Sequence, residues 1–359
     1  MAIESVQLLP PSETIDWSQL GARPNIGRGH IEAVFEDGAW GEPKWVQSPI
    51  LQINALAPCL HYGQQVFEGI RAWRAPDGSV NVWRPRDNAR RMAKSCAAVA
   101  IPPPSEELFV ECIRLALAGN SDFVPPHGHP ASVYIRPFIL GTGPQMVPMP
   151  PNQFTFYVFC APVPPYLGAQ ALPAVILDEF DRAAPRGTGA VKVGGNYAPV
   201  MPHAVKAMKG GFPMTLHLDS ATRTQIDEFS TSAFLGIKEG AEGKVTMVVT
   251  DSENVIESFT ASSCVQLARD NGWTIEQRAI PVTELGEFTE VVAAGTAAAL
   301  VPIRSIKRPA TDELFDYGGQ TIYHEKLAFW LLDAQQGKGE DKHGFRYTVE
   351  AKSQEELRV

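Results

Sequence analysis

Lys192 has the most distinctive chemical surroundings in this chain. Small and apolar residues precede it, and Gly194, Gly195 and Tyr197 follow it. Because nothing bulky flanks the lysine, its amine can approach a flat ring closely, and partial desolvation lowers a lysine pKa toward the neutral amine that forms Schiff bases. From spacing alone, a surface lysine beside a glycine turn is the simpler interpretation.

Two predicted strands carry further candidates. Ile226 and Glu228 share one strand face, so the acid would lie beside an apolar neighbour, where a carboxylate can pair with a protonated ring nitrogen. For a single glutamate, a solvated strand edge is the simpler alternative. Tyr134 and Arg136 also share a face, and a phenol beside a guanidinium suits a carboxylate ligand. A structural salt bridge is the ordinary alternative for that pair.

Three positions could hold a phosphate. Arg91 lies on a predicted helix, Thr260 begins another, and residues 295–297 can form a turn that presents N–H groups and one hydroxyl. The N–H groups and dipole at a helix start favour an anion, although a helix cap explains Thr260 equally well. The sequence contains no GxGxxG or Walker loop, so neither a dinucleotide nor a nucleoside triphosphate is indicated.

These candidates need elements that hold them, and strand and helix patterns follow one another here without strict alternation. A turn at residues 75–78 joins two short strands into a hairpin, and Ser105 can cap a helix. The predicted strands are 70–74, 80–84, 132–140, 154–160, 214–219, 225–237, 245–250 and 274–280, and the predicted helices are 87–99, 106–118, 197–209, 260–271 and 323–336. Such a mixture favours an α+β fold over a doubly wound sheet.

Length and one proline-rich run predict two domains. At about 150 residues per domain, 359 residues suggest roughly two. The proline-rich run at 162–168 follows an apolar, strand-like stretch, which makes it the best boundary. We therefore expect a smaller N-terminal domain over 1–163, a linker over 164–173, and a larger C-terminal domain over 174–359 that carries Lys192.

The composition excludes several classes of function. The chain has 31 Lys and Arg against 40 Asp and Glu, which gives a net charge of −9. Proteins that bind nucleic acids or anionic membranes need a basic surface, so neither is expected as the main partner. The 5 cysteines show no CxxC or Cys/His ligand spacing, so we predict reduced thiols and no metal site. No apolar stretch reaches the roughly 20 residues that a membrane span needs. Near the N-terminus, acidic residues and prolines interrupt what would have to be the apolar core of a signal peptide or an acid-poor transit helix. We expect a cytoplasmic protein.

Five sequence blocks, taken in order, resemble the branched-chain amino-acid aminotransferases. These are fold type IV enzymes that depend on pyridoxal 5′-phosphate (PLP), and the similarity runs from about residue 41 to residue 347. The blocks are 62–71 (YGQQVFEGIR), 134–137 (YIRP), 192–197 (KVGGNY), Glu228 and 295–297 (GTA). One block could arise by chance, but five in family order are hard to attribute to it.

The resemblance implies a fold and an activity. The fold is a two-domain α+β structure like that of D-amino acid aminotransferase, and the cofactor is PLP. The activity is transamination between a branched-chain or related hydrophobic L-amino acid and 2-oxoglutarate, which gives the 2-oxo acid and L-glutamate. The resemblance also implies a homodimer with the active site at the subunit interface.

The resemblance further implies roles for individual residues. Lys192 matches the lysine that binds PLP as a Schiff base and moves the proton, Glu228 matches the acid that keeps the pyridine nitrogen protonated, and Tyr197 matches the tyrosine near the O3′ oxygen. The implied phosphate ligands are Arg91, the backbone at Phe259 and Thr260, and Thr296. The implied substrate-binding residues are Tyr62 from the neighbouring subunit, Phe67, Tyr134, Arg136, Thr231, and the amides of Thr296 and Ala297.

Two blocks differ from the family pattern. Residues 257–261 read Glu-Ser-Phe-Thr-Ala where the family has Pro-Gly-(Ile/Val)-Thr-Arg, and residues 231–233 read Thr-Ser-Ala where the family has a triplet such as Thr-Met-Asn. Other fold type IV enzymes stay open as alternatives: a D-amino acid or (R)-amine transaminase, or an aminodeoxychorismate lyase. The altered 257–261 block also leaves open a catalytically inactive binding homologue.

Overall fold

The structure is a computed structural model that describes residues 8–21, 27–164, 170–297 and 299–350. The chain divides into two units, Met1–Pro165 with Asp333–Val359, and Tyr166–Leu332. Each unit combines one large sheet with helices, which is the predicted α+β class.

The elements of the described residues are numbered in chain order. The strands are β1 (His30–Glu36), β2 (Ala39–Trp40), β3 (Lys44–Val46), β4 (Gln65–Phe67), β5 (Ile70–Arg74), β6 (Val80–Trp83), β7 (Ser132–Gly141), β8 (Phe154–Val163), β9 (Leu172–Ile176), β10 (Met214–Leu218), β11 (Ile226–Phe229), β12 (Ser232–Glu239), β13 (Val245–Thr250), β14 (Thr274–Arg278), β15 (Glu290–Gly295), β16 (Ala299–Arg308), β17 (Glu313–Asp316) and β18 (Arg346–Val349). The helices are α1 (Pro58–His61), α2 (Pro85–Ala98), α3 (Glu106–Gly119), α4 (Met201–Lys209), α5 (Phe259–Asp270) and α6 (Ile322–Gln336).

The first unit is built on an antiparallel sheet. Its strand order is β18-β6-β5-β7-β8-β1-β2, with β3 paired to β1 and β4 paired to β7. Helix α3 packs on β1 and β8, and Phe109 stacks on Phe156 in the core with the ring centroids 5.7 Å apart. Burial of these large apolar side chains between helix and sheet stabilises the unit.

Local signals in the first unit predicted its elements well. The β5–β6 hairpin is confirmed, and Gly78 at its turn has a φ of 85°, which glycine adopts without steric cost. The cap on α3 is also confirmed, since Ser105 Oγ accepts from Leu108 N at 3.1 Å. Helix α2 begins at Pro85 rather than at residue 87, because proline is favoured in the first turn, where its missing N–H leaves no bond unmade.

The second unit is a mixed sheet in which six strands form a closed ring. The strand order is β11-β10-β9-β16-β15-β12-β13-β14, with β17 on β16, and β11 also pairs with β12 to close the ring. Strand β9 is parallel to both β10 and β16. Phe229 and Phe234 are fully buried and stack at a centroid distance of 5.9 Å, so the β11–β12 connection is anchored in the core.

The prediction of a single strand over 225–237 is wrong. The segment is an antiparallel hairpin in which β11 and β12 are joined by Ser230 and Thr231, with Phe229 opposite Ser232 and Glu228 opposite Ala233. A Ser-Thr turn carries none of the glycine, proline or asparagine that normally marks a turn in sequence. As a result, Glu228 lies close to a hairpin end rather than in mid-strand.

The helices of the second unit lie near their predicted positions, with one exception at the start of α4. Helices α5 and α6 follow the predicted ranges 260–271 and 323–336 closely, and Leu327 and Leu331 are fully buried on the predicted core face. Helix α4 begins only at Met201, after 3-10 turns over 194–200. Pro199 interrupts α-helical bonding there because proline has no N–H to donate.

The domain prediction is wrong for the end of the chain. Strand β18 pairs with β6, with Arg346 opposite Trp83 and Val349 opposite Val80, so residues from 333 onward belong to the first unit rather than to a domain over 174–359. The first unit's other boundary falls beside the predicted limit at residue 163. Within the predicted linker 164–173, residues 165–169 lie outside the described residues, and Leu172 already begins β9.

The part of the chain that the structure describes carries neither a membrane-spanning helix nor a metal-binding cluster. None of its helices is both long enough and apolar enough to cross a membrane. It contains no group of three or more His, Cys, Asp or Glu side chains arranged to hold a metal ion. The five cysteines are free thiols, four of them buried.

Candidate active site

Glu228 is a buried carboxylate with a charged partner. Its residue is 5% exposed, since β11 has neighbours on both sides, so the alternative of a solvated strand edge is wrong. Glu228 Oε1 accepts from Ile256 N at 3.2 Å, and the carboxylate forms an ion pair with Arg182. Burial raises the pKa of Glu228 to about 7, while the charges of Arg182 and Lys192 oppose that rise.

Lys192 is half-buried and faces Tyr197. Its Nζ donates to Tyr197 Oη at 3.1 Å and lies 5.5 Å from the centre of the tyrosine ring. Asn196 stabilises the loop before Lys192, because its side-chain amide donates to Thr188 O at 2.6 Å and to Val191 O at 2.9 Å. The charge of Lys192 also opposes the rise in the pKa of Glu228, so the amine beside the phenol is within electrostatic range of the carboxylate.

The altered 257–261 block forms a regular helix start. Ser258 is the N-cap of α5, where its Oγ accepts from Ala261 N at 3.2 Å and donates to Ala294 O at 3.2 Å. Phe259 and Thr260 are buried in the first turn, whose N–H groups have no acceptor within a helix. The serine therefore caps the helix where the family pattern has a glycine, and it ties the helix to the end of β15.

The loop after β15 packs closely against the β11–β12 hairpin. A Cβ at Gly295 would lie 2.7 Å from Ser232 Oγ and 2.9 Å from Thr231 O, so only glycine allows this approach. After Gly295, Thr296 is half-buried and Ala297 is exposed. Thr231, at the turn of the hairpin, is also exposed. The candidate residues of the second unit thus lie along neighbouring loops of one sheet.

In the first unit, Phe67, Tyr134 and Arg136 form an aromatic cluster around one cation. Arg136 Nη2 donates to Tyr134 Oη at 3.0 Å, and the guanidinium carbon lies 5.0 Å from the centre of the Phe67 ring. Among the described residues, no carboxylate pairs with Arg136, and its buried Nε has no hydrogen-bond partner. The alternative of a structural salt bridge is therefore wrong for this arginine. A Cβ at Gly69 would lie 2.0 Å from Tyr134 Oη, so glycine makes room for the phenol.

Arg91 and Tyr62 complete the candidates of the first unit. Arg91 is 6% exposed, and its Nε donates to Glu68 Oε1 at 2.8 Å as one arm of a forked ion pair. Glu68 is itself fully buried and follows Phe67 directly, so one short segment fixes both the aromatic cluster and Arg91. Tyr62 is 49% exposed, and its Oη donates to Met146 O at 2.7 Å.

The side chains of the second unit fit PLP by their chemistry. An aldehyde requires an amine, which Lys192 provides beside Tyr197. A pyridine nitrogen requires an acid, and Glu228 is a buried one. A phosphate suits the start of a helix, and the α5 start with Thr260 is such a place.

Three residues of this arrangement escaped sequence reasoning. Arg182, Glu68 and Ser258 each fix a candidate residue or a helix start by a side-chain bond. Arg182 and Glu68 carry no local signal, because their partners lie far away in the sequence. Ser258 did carry one, since a serine directly before a predicted helix is a favoured N-cap.

Comparisons with known proteins identify similar chains over nearly the full length. The amino-transferase class IV family matches residues 65–306. The chain is 45% identical over 340 residues to the aminotransferase poxL of Penicillium oxalicum, covering 92% of this chain and 93% of that protein. It is also 45% identical over 338 residues to the branched-chain amino acid aminotransferase gloG of Glarea lozoyensis, covering 92% and 94%.

Solved structures share the fold at low sequence identity. The branched-chain amino acid aminotransferase of Escherichia coli superposes with a TM-score of 0.73 at 23% identity, covering 89% of this chain and 100% of that one. The PLP form of the Thermobaculum terrenum branched-chain enzyme gives a TM-score of 0.73 at 18% identity, covering 90% and 99%. The fold type IV architecture expected from the sequence is thereby confirmed.

The cap on α5 predicts a graded effect of substitution. Ser258→Ala should lower the free energy of unfolding by about 1 kcal/mol, whereas Ser258→Gly should cost only a few tenths, because glycine tolerates the cap conformation. Denaturant unfolding of the apoprotein measures both, with Ser262→Ala in the same helix as control. An S258A protein as stable as the unaltered chain would contradict the capping role.

Proposed function

Because this chain belongs to the amino-transferase class IV family, whose members depend on PLP, we propose that it moves amino groups between a branched-chain or related hydrophobic L-amino acid and 2-oxoglutarate. The products are then the 2-oxo acid of the first substrate and L-glutamate. The observation that carries the proposal is the pair of Lys192 and Tyr197, in which an amine lies 3.1 Å from a phenol, together with the buried carboxylate of Glu228, on which the lysine charge acts.

In this proposal, three side chains of the second unit perform the proton chemistry. PLP, when bound, supplies an electron sink for negative charge at the substrate Cα. Lys192 holds the cofactor and then moves the proton at Cα, with its Nζ oriented by the Tyr197 hydroxyl. Glu228 holds a proton at the pyridine nitrogen, and because it is buried, water does not compete for that contact.

Phosphate binding is proposed for backbone and side-chain groups of the second unit. In the second unit, the α5 start at Phe259 and Thr260 and the hydroxyl of Thr296 are the proposed donors. The family resemblance also implies a phosphate-binding role for Arg91 of the first unit, whose guanidinium is held in one orientation by the ion pair with Glu68. The amides of Thr296 and Ala297 are proposed to bind the substrate α-carboxylate, with Thr231 on the hairpin turn beside them.

The aromatic cluster of the first unit suits the two kinds of substrate that the reaction requires. The ring of Phe67 offers an apolar wall for a leucine-like side chain. The guanidinium of Arg136, which lacks a carboxylate partner among the described residues, can bind the distal carboxylate of 2-oxoglutarate together with the Tyr134 hydroxyl. A cluster with both properties could bind the side chains of both substrates.

We propose a homodimer in which Tyr62 reaches the neighbouring subunit's site. Support comes from a group of exposed apolar side chains around Tyr62, an arrangement that marks interaction surfaces. Gln145 N donates to Leu56 O at 3.0 Å and Tyr62 Oη donates to Met146 O, so the two loops form one surface. Its exposed members are Leu56, Leu60, Tyr62, Met146 and Val147.

The rival activities use the same cofactor group with a different substrate. A D-amino acid or (R)-amine transaminase and an aminodeoxychorismate lyase would all keep Lys192 and Glu228. The Arg136 guanidinium beside Phe67 bonds to the Tyr134 hydroxyl but to no carboxylate among the described residues, which favours the branched-chain type. The similarity to the branched-chain amino acid aminotransferase gloG of Glarea lozoyensis favours it as well. An inactive homologue is disfavoured, because the altered 257–261 block still forms a capped helix start.

Lys192→Ala should abolish covalent capture of PLP and reduce transamination on the order of 10³-fold or more, because the amine is both anchor and proton carrier. Borohydride reduction followed by peptide mass spectrometry measures the capture. Lys206→Ala is the matched control, since Lys206 is an exposed lysine of α4. Normal turnover by K192A would refute the assignment.

The substrate class is tested by single half-reactions of the PLP-loaded protein. We expect L-leucine to bleach the cofactor's visible absorbance, and D-alanine and (R)-1-phenylethylamine to leave it unchanged. Arg136→Met should raise KM for 2-oxoglutarate at least about tenfold, the value of a lost charged hydrogen bond, while the L-leucine half-reaction changes little. Bleaching by D-alanine alone would establish the rival activity.

The proposed dimer is tested by light scattering. Leu60→Asp should convert a dimer to a monomer, because a buried, unpaired charge opposes association. Phe329→Asp on α6 is the control, since Phe329 is equally exposed but lies outside this surface. A monomeric unaltered protein that retains full activity would exclude the shared site.

A further inference from the structure

Arg182 joins three separate segments at one buried point. Its residue is 9% exposed, and its guanidinium forms the ion pair with Glu228. Nη2 also donates to Gly189 O at 3.1 Å and to Asn254 O at 2.9 Å. One side chain thus connects β11, the segment that leads to Lys192, and the loop that leads to α5.

The backbone segments around Arg182 pack so closely that Gly189 has no room for a side chain. A Cβ at Gly189 would lie 2.2 Å from the Cβ of Ala183 and 3.1 Å from Asn254 O. Only glycine therefore lets the Lys192 segment approach both the residue after Arg182 and the loop that Arg182 binds. The orientation of the guanidinium is set by fixed backbone atoms, as required of a group that positions a charge.

The charge balance also depends on Arg182. Asp227 and Glu228 are adjacent and both buried, and burial raises the pKa of each. Two buried carboxylates without a cation would neutralise by binding protons. Arg182 is the strongest opposing charge on Glu228, ahead of Lys192.

We propose that Arg182 is a positioning residue that favours the ionised form of Glu228 and fixes the orientation of its carboxylate, and that it couples the carboxylate to the Lys192 segment. A charged Glu228 can hold a proton on a pyridine nitrogen, whereas a neutral one cannot hold that nitrogen as a cation. The part of this inference that concerns the cofactor rests on the proposed function. The part that concerns the ion pair does not, because it belongs to the protein alone.

The ion pair is tested first in the apoprotein by thermal unfolding near pH 5 and near pH 8. Without Arg182, the folded-state pKa of Glu228 lies still further above its unfolded value of 4.5. A group with a raised folded pKa gives stability at low pH that is lost as pH rises through that pKa. Arg182→Gln should therefore lower Tm only modestly near pH 5 and on the order of 10 °C near pH 8.

The double variant R182Q/E228Q separates this effect from simple packing. The groups that face Glu228 are Arg182, Lys192, Asp227 and the Ile256 amide, so removing the Glu228 charge should abolish most of the pH-dependent loss. Burial, followed by the charges of Arg182 and His203, lowers the pKa of His217 to about 3, so His217 is neutral near both pH 5 and pH 8 in the unaltered protein. Arg278→Gln, which breaks an ion pair on β14, is the matched control and should not depend on E228Q.

The coupling to the cofactor is tested with two probes, PLP and its 1-deaza analogue, in which carbon replaces the ring nitrogen. The unaltered apoprotein should bind PLP about tenfold or more tightly than the analogue, and R182Q should lose most of that preference, as E228Q does. R182K, which keeps a charge but not the forked geometry, should be intermediate. R182K can replace R182Q in this comparison if R182Q folds poorly.

Two results would overturn the proposal. One is a Tm loss in R182Q that is equal at both pH values and unchanged by E228Q, which would make Arg182 a packing residue only. The other is an unaltered preference for PLP over the analogue in R182Q. If neither probe binds the unaltered protein while the pH-dependent Tm loss is present, the proposed function fails and the ion-pair role stands.

Discussion

The second unit depends on keeping a negative charge inside a protein core. Glu228 lies on a strand with neighbours on both sides, where burial disfavours a carboxylate. The ion pair with Arg182 and the Ile256 amide make that charge tolerable, and both come from segments that also contact the lysine loop or α5. Stabilising the carboxylate therefore requires the same neighbouring loops that bring Lys192 and the start of α5 into place.

The first unit uses one short segment in a similar way. Phe67 packs under the Arg136 guanidinium, Glu68 pairs with Arg91, and Gly69 leaves room for the Tyr134 hydroxyl. Because these three consecutive residues join β4 to β5, the register of β7 against them determines where each partner lies. A shift by one residue would exchange the buried acid and the aromatic ring between the two faces.

Sequence reasoning succeeded where the cause was local. The turn at 75–78, the Ser105 cap and most helix ranges depend on residues close in sequence, and the family blocks marked Lys192 and Glu228. It failed where the cause was distant or weakly marked. The Ser-Thr turn after β11 carries no strong turn residue, the pairing of β18 with β6 joins strands that are far apart in sequence, and nothing near Arg182 reveals its carboxylate partner.

The last strand has a consequence for the order in which the molecule can be assembled. The residues of the second unit are continuous in sequence, from Tyr166 to Leu332, and all of them are synthesised before β18. The first unit differs, because the outer edge of β6 is covered only by Arg346–Val349. During translation that edge stays open, with unpaired backbone groups that invite association with other chains. Protection of the nascent first unit therefore has to last until Arg346–Val349 emerge and pair with β6.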